Sequence, residues 1–214
     1  LRAAGATVTH CPVMALEPLA DVAERVAELA AAVAEGGLAL FVSRTAAAIA
    51  LQQAPSWPVE GSYFAVGQST AGLLRAGGPE VAAPAQQQTS EGLLALPGLA
   101  SLAGRRAVIV AGQGGRELIA QRLAERGAQV SRCELYRRLP EPAGQLAAQA
   151  ALAECDLLLA HSGELLELLE PVAVKPARLV VPSERVARLA ERLGYRQIAV
   201  AASAAASAAC CSSA

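Results

Sequence analysis

Aromatic residues make up only 3% of the 214 positions, and Trp57 is the single tryptophan. A base-stacking platform for single-stranded nucleic acid, or an aromatic sugar cleft, has too little to be built from. Formal net charge is -1, so no overall basic field exists to hold nucleic acid or an anionic membrane. Any anionic ligand must be held locally. The two histidines, His10 and His161, stand in no ligand-like spacing, and the five cysteines form no C-x-x-C pair. A protein zinc site is therefore not expected. An odd number of cysteines at low density speaks against a secreted disulfide scaffold and for a reducing cytoplasm. The vicinal pair Cys210 and Cys211 lies in an Ala/Ser tail and reads as incidental. The longest uncharged stretch, Ile198 to Ala214, is mostly Ala and Ser, with too little Leu, Ile or Phe to span a bilayer.

What is present is ample apolar material. The chain is 54% hydrophobic and 17% charged, enough for a core and too little charge for disorder. Its length allows one large domain or two small ones. Of the 18 cations only Lys175 is lysine. The arginine excess reads either as base composition of the gene or as the suitability of guanidinium for carboxylates.

One local pattern recurs five times: a short apolar run, a small or hydroxyl-bearing break, then helical spacing. The copies are Leu38 to Gln53, Tyr63 to Gly78, Ala107 to Gly127, Asp156 to Glu170 and Ala177 to Gly194. The runs LALFV, YFAV, AVIV, DLLLA and ARLVV do not alternate, as expected for strands buried on both faces. Strands alternating with helices give an α/β fold with parallel sheets. Between the copies, Pro79 to Gln88 reads as loop, and Thr89 or Ser90 caps a short helix.

The chain also repeats itself. Leu1 to Pro18 lies over Leu123 to Pro140 at an offset of 122, LALFVS over LLLAHS at 119, and VGQSTAGLLRAGG near VPSERVARLAERLG at 113, which pairs Thr70 with Ser183. A duplication with small deletions produces such a drift, and implies two similar lobes. Ala107 to Arg122 has no counterpart ahead of Leu1, and LRAAG reads as a last helical turn closed by Gly5. The expectation is that a first strand and most of a first helix are absent. Thr7 to Glu17 and Gln129 to Leu139 have extended patterning and are candidate linking strands.

At the carboxyl ends of the expected strands stand Ser43-Arg44-Thr45, Gly67-Gln68-Ser69-Thr70, Gly112-Gln113-Gly114-Gly115, His161-Ser162-Gly163 and Pro182-Ser183-Glu184. Each opens a helix, where unpaired N–H groups and the helix dipole favour anions. The third glycine of a dinucleotide fingerprint is replaced by Glu117, so that reading fails. No phosphate loop, nucleophile elbow or paired carboxylates are visible. His161 reads as packing. Tyr136 interrupts a linking segment beside Arg137 and Arg138, where the other copy carries Met14; it reads equally as a packing side chain or as a proton donor.

Taken together, FVSRTAAAIA, FAVGQSTAGLLRAGG, QTSEGLLALP, AVIVAGQGGRELIAQRLAERGAQV, CELYRRLP, HSGELLELL and VVPSERVARLAERLGY resemble the uroporphyrinogen-III synthase family in order and spacing, from Leu1 to about Ala202. The resemblance implies two doubly wound parallel-sheet lobes joined by a two-stranded linker, one lobe discontinuous. One lobe would be residues 18–131, the other 1–11 with 139–214, and the linker 12–17 and 132–138. It implies that hydroxymethylbilane loses water and closes to uroporphyrinogen III with inversion of the fourth pyrrole ring, without cofactor or metal. Loss of the hydroxyl leaves an azafulvene. The terminal pyrrole then attacks through its substituted carbon, giving a spiro intermediate that fragments and recloses. On this resemblance Tyr136 assists loss of the hydroxyl. Ser43, Thr70, Ser90, Ser162 and Ser183 match hydroxyl positions facing the cleft; Gly114 and Gly163 join them as backbone binders, and Arg44 and Arg116 meet propionates. Thr45 stands where the family commonly has Asn, and His161 where it has Thr. A cytoplasmic monomer in transient contact with porphobilinogen deaminase is implied, with neither nucleic acid nor membrane as partner. The alternative is a bilobal binding or sensor protein for small anions, without catalysis.

Overall fold

The structure is a computed structural model and describes residues 2–54, 57–58, 60–115, 117–170, 176 and 178–201. A 3-10 turn at Arg2–Ala4 precedes β1 (Met14–Pro18), α1 (Val22–Ala34), β2 (Leu38–Phe41) and α2 (Arg44–Gln53). Then follow β3 (Ser62–Ala65), α3 (Gln68–Arg75), β4 (Val81–Ala82), α4 (Ser90–Leu94), β5 (Arg106–Gly112) and α5 (Leu118–Glu125). The chain continues with β6 (Gln129–Pro140), α6 (Pro142–Leu152), β7 (Leu157–Leu159) and α7 (Gly163–Leu169). β8 (Arg178–Val181), α8 (Glu184–Arg192) and β9 (Ile198–Val200) complete it. The class is α/β, and each of the five apolar runs contains a strand.

The chain divides into two compact units, Leu16–Arg138 and Leu1–Ala15 with Leu139–Ala214. Both boundaries fall inside strands, one within β1 and one within β6. The larger sheet has the order β1-β6-β5-β2-β3-β4. From β2 the chain steps outward to β3 and β4, then crosses back to β5 and β6, with each of these neighbours parallel. That reversal is a double winding. β1 and β6 are framed by the bonds Leu19 N to Leu135 O and Glu141 N to Val13 O. Residue numbers rise on one strand as they fall on the other, so the pair is antiparallel. Residues 132–138, expected to link, form the second half of β6, which stays paired with β5 as far as Tyr136.

β2 shows why its run is unbroken. Leu38 and Leu40 pack on one face with Phe64, Leu93, Leu99 and Leu123. Ala39 and Phe41 pack on the other with Val26, Leu29, Trp57 and Tyr63. A period of two with helices on both sides leaves no position for a polar residue. The exception to the loop expectation for Pro79 to Gln88 is β4, whose Val81 pairs with Tyr63.

In the other unit, β7, β8 and β9 form a parallel sheet in that order. Among the described residues this sheet steps one way only. The repeat is visible in its details. Gly5 and Gly127, 122 apart, both close a helical turn with positive φ, +82° and +86°, the left-handed conformation that glycine adopts without a Cβ clash. Ser43 and Ser162, 119 apart, both cap helices by accepting a backbone N–H. At the third copy the structure corrects the sequence alignment. Ser183 caps α8, and its counterpart is Gly67, the cap of α3, not Thr70.

Candidate active site

The reversal of strand order lies between β2 and β5. In open parallel sheets the connections diverge there and leave a crevice beyond the carboxyl ends of the two strands. Ser43 follows β2, Gly112 ends β5, and Gln113 comes directly after it. Ser43 is half-buried, and its Oγ accepts the Ala46 N–H at 3.3 Å, which satisfies one of the orphan donors of α2.

β6 brings Tyr136 to the same place. Its register with β5 is regular from Gln129 to Glu134, then shifts so that Tyr136 faces Gly112. The extra residue is a β-bulge, which bends the strand and re-aims the next side chain. The ring is 3% exposed and lies directly on Gly112, where a Cβ would come within 2.5 Å of Tyr136 Cζ. Only glycine leaves room. The phenol oxygen is 2.9 Å from Ser43 Oγ. Arg138 reaches the same oxygen with Nη2 at 3.5 Å, and its Cζ lies 5.6 Å from the ring centroid. Its Nη1 donates to the Gln113 carbonyl at 3.2 Å, while the Gln113 N–H donates to the Tyr136 carbonyl at 2.7 Å. A phenol, a serine hydroxyl and a guanidinium thus converge at the reversal point.

The smaller unit carries a simpler arrangement at its own strand ends. Ser162 Oγ accepts the Leu165 N–H at 3.3 Å. Gly163 is buried against α8, a Cβ there coming within 2.7 Å of Leu189 Cδ2. Ser183 caps α8 without a side-chain bond. A cavity of about 160 Å³ opens beside them, lined by Leu159, Ala160, His161, Val180, Val181, Pro182 and Ala201. His161 is exposed at its edge.

Residues 1–210 match the family model described as uroporphyrinogen-III synthase HemD. Uroporphyrinogen-III synthase of Escherichia coli is 36% identical over 216 residues, covering 94% of this chain and 87% of that protein. The chain belongs to the uroporphyrinogen-III synthase family. The Salmonella typhimurium synthase is similar to the same degree, 36% over 219 residues and 94% of this chain. A uroporphyrinogen III synthase structure from Thermus thermophilus superposes with a TM-score of 0.62 at 22% identity, covering 92% of this chain and 84% of that one. The Helicobacter pylori structure does so at 0.57 and 13%, covering 82% of each. Those structural likenesses establish the shared fold. The family cyclises hydroxymethylbilane to uroporphyrinogen III in tetrapyrrole biosynthesis, and the chain is an enzyme of that kind, a lyase.

Against this background the residues singled out in the sequence separate into three groups. Ser43 and Tyr136 meet. Arg44, beside them at the first turn of α2, is exposed and makes no ion pair among the described residues. A second group is engaged otherwise. Thr70 is 3% exposed within α3, one turn past the cap, and the Gln68 N–H at that helix start is already taken by Gln88 Oε1 at 2.9 Å. Thr89, not Ser90, caps α4 through its Oγ1, leaving Ser90 half-buried in the first turn. Gly114, expected to offer a free N–H, donates it to Glu134 Oε1 at 3.3 Å, and its carbonyl is held by Arg132. Arg132 is itself paired with Glu117 and Glu134. The GQGG segment is thus tied down by the strand beside it. Arg116 lies outside the described residues, as does the tail from 202 onward.

The sequence offers Gly112 and Gln113 only as part of an anion-favouring strand end and Arg138 only as a neighbour of Tyr136, yet all three seat the phenol. The signal available was a glycine ending a strand where a buried ring needs room. Among the described residues no cluster of metal-ligating side chains occurs, and no helix is long and apolar enough to cross a membrane.

Proposed function

We propose that this chain closes hydroxymethylbilane at the Tyr136–Ser43 pair, with Tyr136 as the group that protonates the departing hydroxyl. The 2.9 Å contact between the two hydroxyls at the sheet reversal supports this most directly. As the pyrrole nitrogen pushes out the C–O electrons, the hydroxyl oxygen takes the Tyr136 proton and leaves as water. The azafulvene is attacked by the substituted carbon of the terminal pyrrole, and the spiro intermediate fragments and recloses at that ring's free carbon. The proton shed on rearomatisation returns to the phenolate, so none is gained or lost. The general acid contributes about 10² to 10⁴ in rate, and the remainder is geometric. Holding a flexible tetrapyrrole in one near-attack arrangement selects the inverted isomer.

Carboxylate side chains of the substrate supply the means of holding it. Arg44 takes one at the start of α2, where helix dipole and guanidinium act together. The starts of α7 and α8, with Ser162, Gly163 and Ser183, take others in the smaller unit. No step is routed through a cofactor. The two compact units serve as the two lobes of the enzyme, β1 and β6 carrying the chain from one to the other. We place the reaction in the cytoplasm, in keeping with the free thiols of Cys11, Cys133 and Cys155, by a monomer that takes its substrate from porphobilinogen deaminase in transient contact.

The test is a coupled assay in which porphobilinogen and its deaminase generate the linear tetrapyrrole, with and without this chain. Oxidation and chromatography then separate uroporphyrin I from III. Type III is expected only with the chain present, and Tyr136→Phe should lower its rate by about 10² or more. A fully active Tyr136→Phe enzyme overturns the assignment of the acid.

A further inference from the structure

We propose that Arg138 is a positioning residue for Tyr136: its guanidinium orients the phenol as a donor toward the leaving hydroxyl and holds the charge left on the oxygen. This rests on the reading of Tyr136 as the proton donor. The argument begins with what each group is able to do. Guanidinium has five N–H donors and no acceptor, so the Arg138 contact at 3.5 Å fixes the phenol oxygen as an acceptor on that side. Ser43 Oγ already accepts from the Ala46 N–H, which leaves its own proton free to be given to Tyr136 across 2.9 Å. With two donors directed at it, the phenol oxygen spends its lone pairs on the protein and keeps its single hydrogen for the substrate. Without Arg138 the two hydroxyls can exchange roles, and the Tyr136 hydrogen can then turn onto Ser43.

The guanidinium is itself held in place. Nη1 donates to the Gln113 carbonyl, and the Gln113 N–H donates to the Tyr136 carbonyl. Side chain and backbone close one small circuit around the ring, and the cation also faces the ring at 5.6 Å, where the π-system favours it. Neighbouring Arg137 shows the contrast. It pairs with Glu17 at 2.9 Å, and among the described residues the guanidinium bonded to the phenol oxygen is that of Arg138.

The experiment is a double-mutant cycle in the coupled assay, reading kcat and KM for type III formation. Arg138→Met should lower kcat by about tenfold or more with KM little changed, since the charge matters only once the proton has moved. Arg138→Lys should recover part of the loss. In a Tyr136→Phe background, Arg138→Met should cost nothing further. Arg137→Met, as a control, should leave kcat unchanged. Melting temperature is followed throughout, and Arg138→Gln replaces the methionine variant if that one does not fold.

An increase in KM at constant kcat would overturn the proposal and make Arg138 a substrate-carboxylate binder. An equal loss in both backgrounds would overturn it too, since Arg138 would then act without the phenol. An undiminished Arg138→Met, with Tyr136→Phe impaired, removes Arg138 alone. An undiminished Tyr136→Phe removes the acid and Arg138's role with it.

Discussion

Gly112→Ala tests the architecture of the site without touching any group that does chemistry. A Cβ at this position would stand 2.5 Å from Tyr136 Cζ, 2.6 Å from Cε2 and 3.0 Å from Cε1. The ring has to retreat by about 1 Å to restore van der Waals contact. The ring is buried in the core, so a movement of that size changes the placement of its hydroxyl against Ser43. Overpacking of this kind costs about 1–3 kcal/mol. At roughly 2–4 °C per kcal/mol for a chain of this size, Tm should fall by several degrees. A displacement near 1 Å in a reacting group costs about 10²-fold in rate. The coupled assay should therefore show a kcat loss far larger than the modest change in stability would explain. Gly72→Ala is the control: it lies in α3, exposed, with nothing within 4 Å of the added Cβ. There alanine should raise stability by about 0.5–1 kcal/mol through helix propensity alone. If Gly112→Ala keeps full activity and the parent Tm, the ring does not depend on that glycine and the seating described for Tyr136 is wrong.

Ser43→Ala removes both the α2 cap and the phenol's partner, so it should cost about 1 kcal/mol in denaturant melts and also lower kcat; unchanged stability would show that the cap carries no weight. Burial pushes the Tyr63 phenol up to about 12 from its ordinary 10. Because the unfolded chain ionises first, stability should decline as pH rises from about 10 to 12. Tyr63→Phe should flatten that slope in melts followed by circular dichroism, and an identical slope would refute it. The Cys133 thiol is pushed up to about 11, chiefly by burial. It should resist alkylation at neutral pH in the native protein and react only on unfolding, as mass spectrometry of labelled peptides would reveal.

The larger elements were legible because both faces of the central strands are covered, which leaves unbroken apolar runs. β4 and β9 were not: two or three residues carry no periodicity, and Val81 is a strand only because Tyr63 lies beside it. The alignment of Thr70 with Ser183 matched hydroxyls, whereas the fold matches caps, and Gly67 caps α3 through backbone alone. Tyr136 stood out as an interruption in an extended segment. Its partner Ser43 lies 93 residues earlier, and the bulge that turns it has no mark in the sequence. Gly114 misled for a similar reason. Its N–H meets Glu134, twenty residues away, and local pattern says nothing about such an encounter.

The two halves of the chain share their hydroxyl caps, Ser43 in one and Ser162 in the other, but only one half has the phenol. Where Tyr136 stands in β6, the matching position in β1 is Met14. Duplication begins with equivalent halves, and a substrate with a distinct head and tail has no use for equivalence. A thioether at one copy and a phenol at the other give the two halves different chemistry at matching positions. On the role proposed for Tyr136, the end of the substrate that reacts is chosen by a single pair of unlike residues, Tyr136 and Met14.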